Sequence, residues 1–326
     1  MGITIKDIAK EANVSYSTVS KALNNSPLVK EVTKQKILRV AKEMGYEPNL
    51  AAKQLVRKKT EVIGLIWPTI ERIVLATLVT NISKAFEATK YSMILSVDSA
   101  ETSLDTFKKF QVDGMIVFAE SHQMVPEDQI PLVAYGVSGK RKVSYPIIDA
   151  NHEQAMEQAV QYLAELGHHH IAYVGHLDTE DALQREKVEG YQKAMKKRNL
   201  KQQSIDTNGL DWYDGYLAVE EIIRLTHQPT AIIGGSYDIS GGIVRSLHEK
   251  GVSIPDAMSV VSYDNIPQME TMEIPMTCIG VPVDILAEEI VATIIHHIES
   301  GEEDEFIKKL TPSLTERKSA GPAPQS

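Results

Sequence analysis

The sequence predicts two structural classes in one chain: a small all-α head and, behind it, an α/β body built on parallel sheets. Three observations predict this. Up to about residue 47 the apolar residues recur at helical spacing, whereas from Glu61 onward short β-rich runs alternate with helical ones. The charge divides at nearly the same place. Residues 1–59 hold 12 lysines and arginines against five acids, a charge of +7, while the whole chain carries −10, which leaves −17 on the remainder. Finally, 326 residues with 43% of them apolar can build a head and about two core lobes.

The head reads element by element. Thr4 caps a first helix, and Asp7 at its third position returns the contact to the start. Ile5, Ile8, Ala9 and Ala12 then fall on one apolar face. Asn13 stands where the chain must turn sharply, and asparagine tolerates the left-handed conformation better than most residues. Val14 plugs the space between helices. Ser15 caps a second helix that turns Val19, Ala22 and Leu23 inward and Tyr16, Ser17, Thr18 and Lys21 outward, and Asn24-Asn25-Ser26-Pro27 stops it. A third helix, about Thr33 to Met44, carries Ile37, Val40, Ala41 and Met44 on one side and ends at Gly45.

Two short helices joined by a three-residue turn have the helix-turn-helix geometry that lays a second helix into a DNA major groove. There the side chains at its N-terminus reach base edges, and the flanking hydroxyls hold phosphates. A small helical bundle with a solvated lysine face is the plainer alternative. Charge by itself does not decide between the two, and the residue pattern favours the nucleic-acid reading. After the head, Asn49 can cap a helix ending near Val56, too short to be stable alone in water.

In the body, candidate strands are Val62–Trp67, Ser92–Val97, Gly114–Phe118, Leu132–Tyr135, Ile171–Gly175, Thr230–Gly234 and Ser259–Tyr263. Helical patterns lie between them, among them His152–Leu166, Arg185–Arg198, Asp214–Leu225 and Ile239–Lys250. Such alternation makes parallel sheets covered on both faces, and two lobes of this kind place their strand C-termini around a shared cleft. The stretch after Lys318, with Pro322 and Pro324, is expected to be disordered.

Particular motifs sharpen the reading. Ile3-Thr4-Ile5-Lys6-Asp7-Ile8-Ala9-Lys10, Asn13-Val14-Ser15 and Ser17-Thr18-Val19-Ser20-Lys21-Ala22-Leu23-Asn24 resemble the head of the lactose-repressor (LacI/GalR) family. Gly45-Tyr46-Glu47-Pro48-Asn49 and Ala52-Lys53-Gln54-Leu55 resemble that family's hinge. The likeness runs through nearly the whole chain, including Val112-Asp113-Gly114, Leu166-Gly167-His168, Glu189-Gly190-Tyr191 and Val260-Val261-Ser262-Tyr263-Asp264-Asn265. It implies a helix-turn-helix DNA-binding head at 1–47 and a hinge helix and linker at 48–60. Behind them it implies a two-lobed, periplasmic-binding-protein-like core with parallel sheets at 61–318, with the chain crossing between lobes three times. Residues 319–326 remain as the expected disordered tail.

The resemblance also implies roles. Thr4, Ser15, Tyr16, Ser17, Thr18, Lys21 and Asn24 would meet DNA from the head, and Asn49, Lys53 and Leu55 from the hinge, with Leu55 wedged between base steps in the minor groove. Lysine stands at 21 and 53 where the family usually has arginine. A lysine donates as a point charge, which relaxes base choice. In the cleft, Lys187 stands where the family keeps an effector-holding arginine, and Trp212 matches an aromatic that stacks on a sugar or base. Tyr237 replaces an asparagine, and Asp264 matches an effector-binding carboxylate. Thr69 lies in Thr69-Ile70-Glu71-Arg72-Ile73, which replaces the family's usual Asn-Pro-Phe-Phe, and Val281 stands where some members have a polar contact.

The expected function is a sequence-specific transcriptional regulator, a repressor by preference, that binds a pseudo-palindromic operator as a homodimer. A small effector such as a sugar or phosphosugar would control it. A core answering a partner protein is the alternative within this class. A solute-binding protein for transport is the alternative outside it, opposed by the basic head and by an N-terminus without an apolar leader core. No run of 18 apolar residues suggests a membrane span, and a cytoplasmic location is expected. One cysteine, Cys278, excludes a disulfide framework or a cysteine zinc site. Three consecutive histidines, His168-His169-His170, cannot share one helix face, so no metal is expected, nor any cofactor. Gly234-Gly235 and Gly241-Gly242 lack the Lys-Ser/Thr of a phosphate loop, and no catalytic constellation stands out. An enzyme is not expected.

Overall fold

The computed structural model describes residues 3–23, 25–46, 59–119, 130–136, 144–301 and 307–325. The chain divides into two compact units, 1–60 and 61–326. The candidates Asn24, Asn49, Lys53 and Leu55 lie outside the described residues.

Three helices make the first unit: α1 (Ile5–Glu11), α2 (Tyr16–Leu23) and α3 (Glu31–Glu43). The start of α1 is fixed as the sequence predicts, with the Thr4 backbone N–H donating to Asp7 Oδ2 at 2.9 Å and the Thr4 hydroxyl to the same oxygen at 2.7 Å. Asn13 takes the left-handed conformation, φ 52°. Ser15 Oγ then accepts from the Thr18 N–H at 3.1 Å, capping α2. Helix α3 begins at Glu31, ahead of the expected Thr33. Ile8, Ala12, Val19 and Ile37 are fully buried and tie the three helices together. Fully burying one aliphatic side chain of this size contributes about 1.5–3 kcal/mol, so a few of them hold so small a unit.

The second unit has two lobes. The first contains β1 (Val62–Ile66), α4 (Ile73–Glu87), β2 (Ser92–Ser96), α5 (Ala100–Phe110), β3 (Gly114–Ala119), β4 (Leu132–Gly136) and β5 (Ile147–Asp149). The second contains α6 (His152–Glu165), β6 (Ile171–Gly175), α7 (Ala182–Lys197), β7 (Ser204–Asp206), α8 (Trp212–Arg224), β8 (Ala231–Gly234), α9 (Tyr237–Glu249), β9 (Ser259–Asn265) and β10 (Thr277–Pro282). Helix α10 (Val283–Ser300) and β11 (Ile307–Lys309) return to the first lobe, and β12 (Ser313–Thr315) to the second. The chain therefore crosses three times: after β5, after β10 and after β11.

One sheet runs β11-β5-β4-β3-β1-β2 with every pairing parallel; the other runs β12-β10-β9-β8-β6-β7, with only β12 antiparallel. Central strands are buried along their whole length, as in β6 and β8, because helices cover both faces. Strands β5, β7, β10, β11 and β12 were not among the seven expected. Three-residue strands carry too little pattern to be read, and β10 mixes Cys278, Gly280 and Pro282 into its apolar run.

Helices α8 and α9 touch backbone to backbone. A Cβ on Gly215 would lie 2.1 Å from the Ile239 carbonyl oxygen, and one on Gly242 would lie 2.0 Å from that of Trp212. Only glycine permits this approach.

The tail corrects an expectation. Residues 319–325 are ordered rather than disordered. Ser319 is fully buried, accepting from the Thr277 N–H at 2.8 Å and donating to the Val260 carbonyl at 2.6 Å. The Ala323 N–H donates to the Leu166 carbonyl at 2.9 Å. The prolines end any helix there, but an extended strap needs none. It meets its hydrogen bonds on the second lobe instead.

Candidate functional site

In the head, the N-terminus of α2 gathers three hydroxyls. Ser15 Oγ lies 2.9 Å from Ser17 Oγ and 2.7 Å from Thr18 Oγ1. Tyr16 beside them is 55% exposed, and Ser17 and Lys21 are also exposed. A helix N-terminus presents partial positive charge. Exposed hydroxyls, an aromatic ring and a lysine on its outward face form a surface that suits phosphate oxygens and base edges. Thr4 closes the start of α1, and the two bonds from Thr4 hold the Asp7 carboxyl below the usual carboxylate range.

In the body, a cavity of about 60 Å³ lies between the lobes. Its first-lobe wall carries Arg72, Phe118 and Tyr135; its second-lobe wall carries His152, Lys187, Tyr263 and Asp264. The positions follow from the sheets. Phe118 and Tyr135 stand near the C-terminal ends of β3 and β4, and Tyr263 and Asp264 near that of β9. Phe118 and Tyr135 meet edge to face at 5.2 Å, giving the first lobe an apolar, aromatic wall.

Lys187, 3% exposed, is fully engaged by its own chain. Its Nζ donates to Gln184 Oε1 at 3.2 Å and the Gly235 carbonyl at 2.9 Å, and lies 4.2 Å from the Tyr263 ring centroid. Burial lowers its pKa to about 8, with Asp264 pulling the other way. Asp264 takes a φ of 83°, a conformation L side chains rarely adopt, and its Oδ2 accepts from the Tyr237 N–H at 2.9 Å. Such a conformation persists only where the surroundings over-determine it, and here it holds a buried carboxylate on the cavity wall. His152 bonds through Nδ1 to the Tyr263 hydroxyl, while its Nε2 is buried without a partner among the described residues. Burial, aided by Lys187, holds His152 well below its usual pKa, so the ring is neutral.

Of the five cleft residues expected from the sequence, the structure brings Lys187 and Asp264 into the cavity wall. Tyr237 touches the site only through its backbone. Trp212 stands outside the wall, 43% exposed, stacked on Tyr216 at 5.6 Å. Thr69 is also outside it, its hydroxyl accepting from the Glu71 N–H at 3.1 Å. Sequence reasoning missed Arg72, Phe118, Tyr135 and His152. The strand ends would have pointed to Phe118 and Tyr135.

Residues 4–49 match the model of the bacterial regulatory proteins of the lacI family, and residues 160–320 match the periplasmic binding protein-like domain. Catabolite control protein A of Priestia megaterium is 32% identical over 300 residues, covering 86% of this chain and 90% of the relative. The probable HTH-type transcriptional repressor ExuR of Bacillus subtilis (strain 168) is 30% identical over 298 residues, covering 86% of this chain and 89% of the relative. The chain belongs to the lacI family of bacterial regulatory proteins. As a lacI-family protein it is a DNA-binding transcriptional repressor, and its relatives are repressors rather than enzymes. The crystal structure of the Lac repressor dimer bound to operator and the anti-inducer ONPF shares its fold, with a TM-score of 0.84 at 23% identity, covering 98% of this chain and 100% of that one. Among the described residues no helix is long and apolar enough to cross a membrane.

Proposed function

We propose that this lacI-family repressor binds a pseudo-palindromic operator as a homodimer and answers a small polyhydroxyl effector, a sugar or phosphosugar, in the interlobe cleft. The observation that carries the effector reading is Asp264, a carboxylate in a strained backbone on the wall of a cavity with aromatic faces. A carboxylate accepts sugar hydroxyls, and aromatic faces pack on sugar C–H groups. Lys187 braces this wall.

In the head, Tyr16 and Ser17 read base edges and Lys21 reaches a guanine or a phosphate. Thr4, Ser15, Thr18 and Asn24 position the backbone. Asn49, Lys53 and Leu55 form the hinge contact at the operator centre, Leu55 unstacking one base step. The shift between lobe arrangements alters how two heads sit on the two half-sites.

A thermal-shift screen of the full-length protein against neutral sugars and phosphosugars tests the effector. A rise of several degrees with one of them supports the reading, and no response across the set counts against it. One observation favours control by a partner protein instead: Lys187 is satisfied internally, by Gln184 and the Gly235 carbonyl.

A further inference from the structure

Two helix N-termini from different lobes meet across the cleft. Arg72 is the N-cap residue of α4, and Asp238 lies in the first turn of α9. Helix N-termini are partially positive, so two of them facing each other repel. Arg72 adds a full positive charge to the α4 end, where the first turn holds no acid to offset it. The Asp238 carboxylate attracts all three.

The atoms that face each other are Arg72 Nε and Asp238 Oδ2, 4.0 Å apart, on side chains that are each 16% exposed. Both atoms are buried, and neither has a hydrogen-bond partner among the described residues. At 4.0 Å no N–H···O bond forms, so a donor and an acceptor with unmet bonds confront one another across the lobes. A second bond already joins the lobes nearby. Gln268, in the turn between β9 and β10, donates from Nε2 to Thr77 Oγ1 on α4 at 2.9 Å.

We propose that Arg72 and Asp238 form a latch that holds the two lobes together without any ligand, with Gln268 and Thr77 as its second point. The attraction of opposite charges across the lobes resists opening, against the cost of the unmet bonds, and the Gln268–Thr77 bond adds to it. The ligand-free core then rests with its lobes already joined, and an effector or partner acts on that state. The proposal does not depend on the identity of the effector, or on there being one.

The charged groups facing Asp238 are Arg72 from α4, Asp264 from β9 and Asp211 from the N-cap of α8. Burial, with Asp264 and Asp211 adding, pushes its pKa up to about 6 against the pull of Arg72.

The test measures interlobe distance by double electron–electron resonance in the full-length protein without added ligand. Spin labels sit at the exposed positions of a Lys109→Cys, Lys201→Cys pair, and labelled chains are diluted into unlabelled ones. The latch predicts a severalfold larger long-distance population in Asp238→Asn and in Arg72→Gln. The double exchange Arg72→Asp, Asp238→Arg should restore the short distance. Single variants with the wild-type distribution, or an exchange that fails to restore it, overturn the latch. Should Asp238→Asn fail to fold, Arg72→Gln and the double exchange decide by the same two outcomes.

Discussion

His168 and Gly321 are 153 residues apart in the chain and joined in space, His168 Nε2 lying 3.0 Å from the Gly321 carbonyl oxygen. The carbonyl can only accept, so Nε2 carries the proton, and Nδ1 faces the Thr230 hydroxyl at 2.9 Å. A fully buried imidazole thus fastens the C-terminal strap to the second lobe. Burial holds its pKa below the ordinary histidine value, which keeps this neutral arrangement near neutral pH. His168→Ala should cost about 1–3 kcal/mol of core stability, because Ser259, Thr230 and Gly321 lose a shared partner. Urea denaturation gives the loss, and amide exchange should quicken at Gly321 and Ala323. Unchanged exchange at both would show that the strap holds without the histidine.

Tyr16 projects from the start of α2 with more than half its surface free, while Ser15 spends its hydroxyl on capping the helix. The two substitutions should therefore differ in kind. Tyr16→Ala should weaken specific operator binding by about 1–3 kcal/mol and leave nonspecific binding nearly unchanged. Ser15→Ala should cost about 1 kcal/mol of head stability and weaken both. Gel shifts on operator and on unrelated duplex across a salt series separate these outcomes. Equal losses on both duplexes for Tyr16→Ala would argue against base reading.

Asp264 holds its strained backbone with one carboxylate oxygen bound to the Tyr237 N–H. Asp264→Asn should abolish the response to an effector found by the screen and leave operator binding in place. In the wild type, effector and operator should change each other's affinity by the same factor. A wild-type response in Asp264→Asn would remove this residue from the site.

Glu186 gives a pH dependence with a definite sign. Its carboxylate faces Asp149 from β5, Lys309 from β11 and Glu153 from α6, and it accepts from the His152 N–H. Burial, with Asp149 adding, pushes its pKa up to about 7. The folded state therefore holds a proton that the unfolded chain releases near pH 4.5, the ordinary value. The stability this proton contributes is complete below that value and is lost as the pH rises through about 7. Glu186→Gln should flatten the fall in stability between pH 5 and 8 in chemical denaturation, and an unaltered slope would contradict the shift.

The sequence by itself determined whatever depends on neighbours in the chain. The Thr4–Asp7 start of α1, the left-handed Asn13, the Ser15 cap and the inward Val19 and Ala22 follow from spacing within a few residues. So do the seven long strands and the alternation that makes parallel sheets, because each apolar run is longer than a turn and its period is local. Asp264 and Lys187 came from matched motifs, which carry position but not contacts. Only the tertiary structure decided what the three crossings bring together. Arg72 meets Asp238, Phe118 and Tyr135 share a wall with Tyr263, and the last residues bond to strands far from them in the chain. Trp212 shows the same limit from the other side. It reads as a stacking residue for a ligand, but it stacks on Tyr216, one turn along the same helix, and stands outside the cavity wall. Local pattern fixes which face of an element is apolar, whereas the geometry between elements fixes which polar groups must share the space that remains.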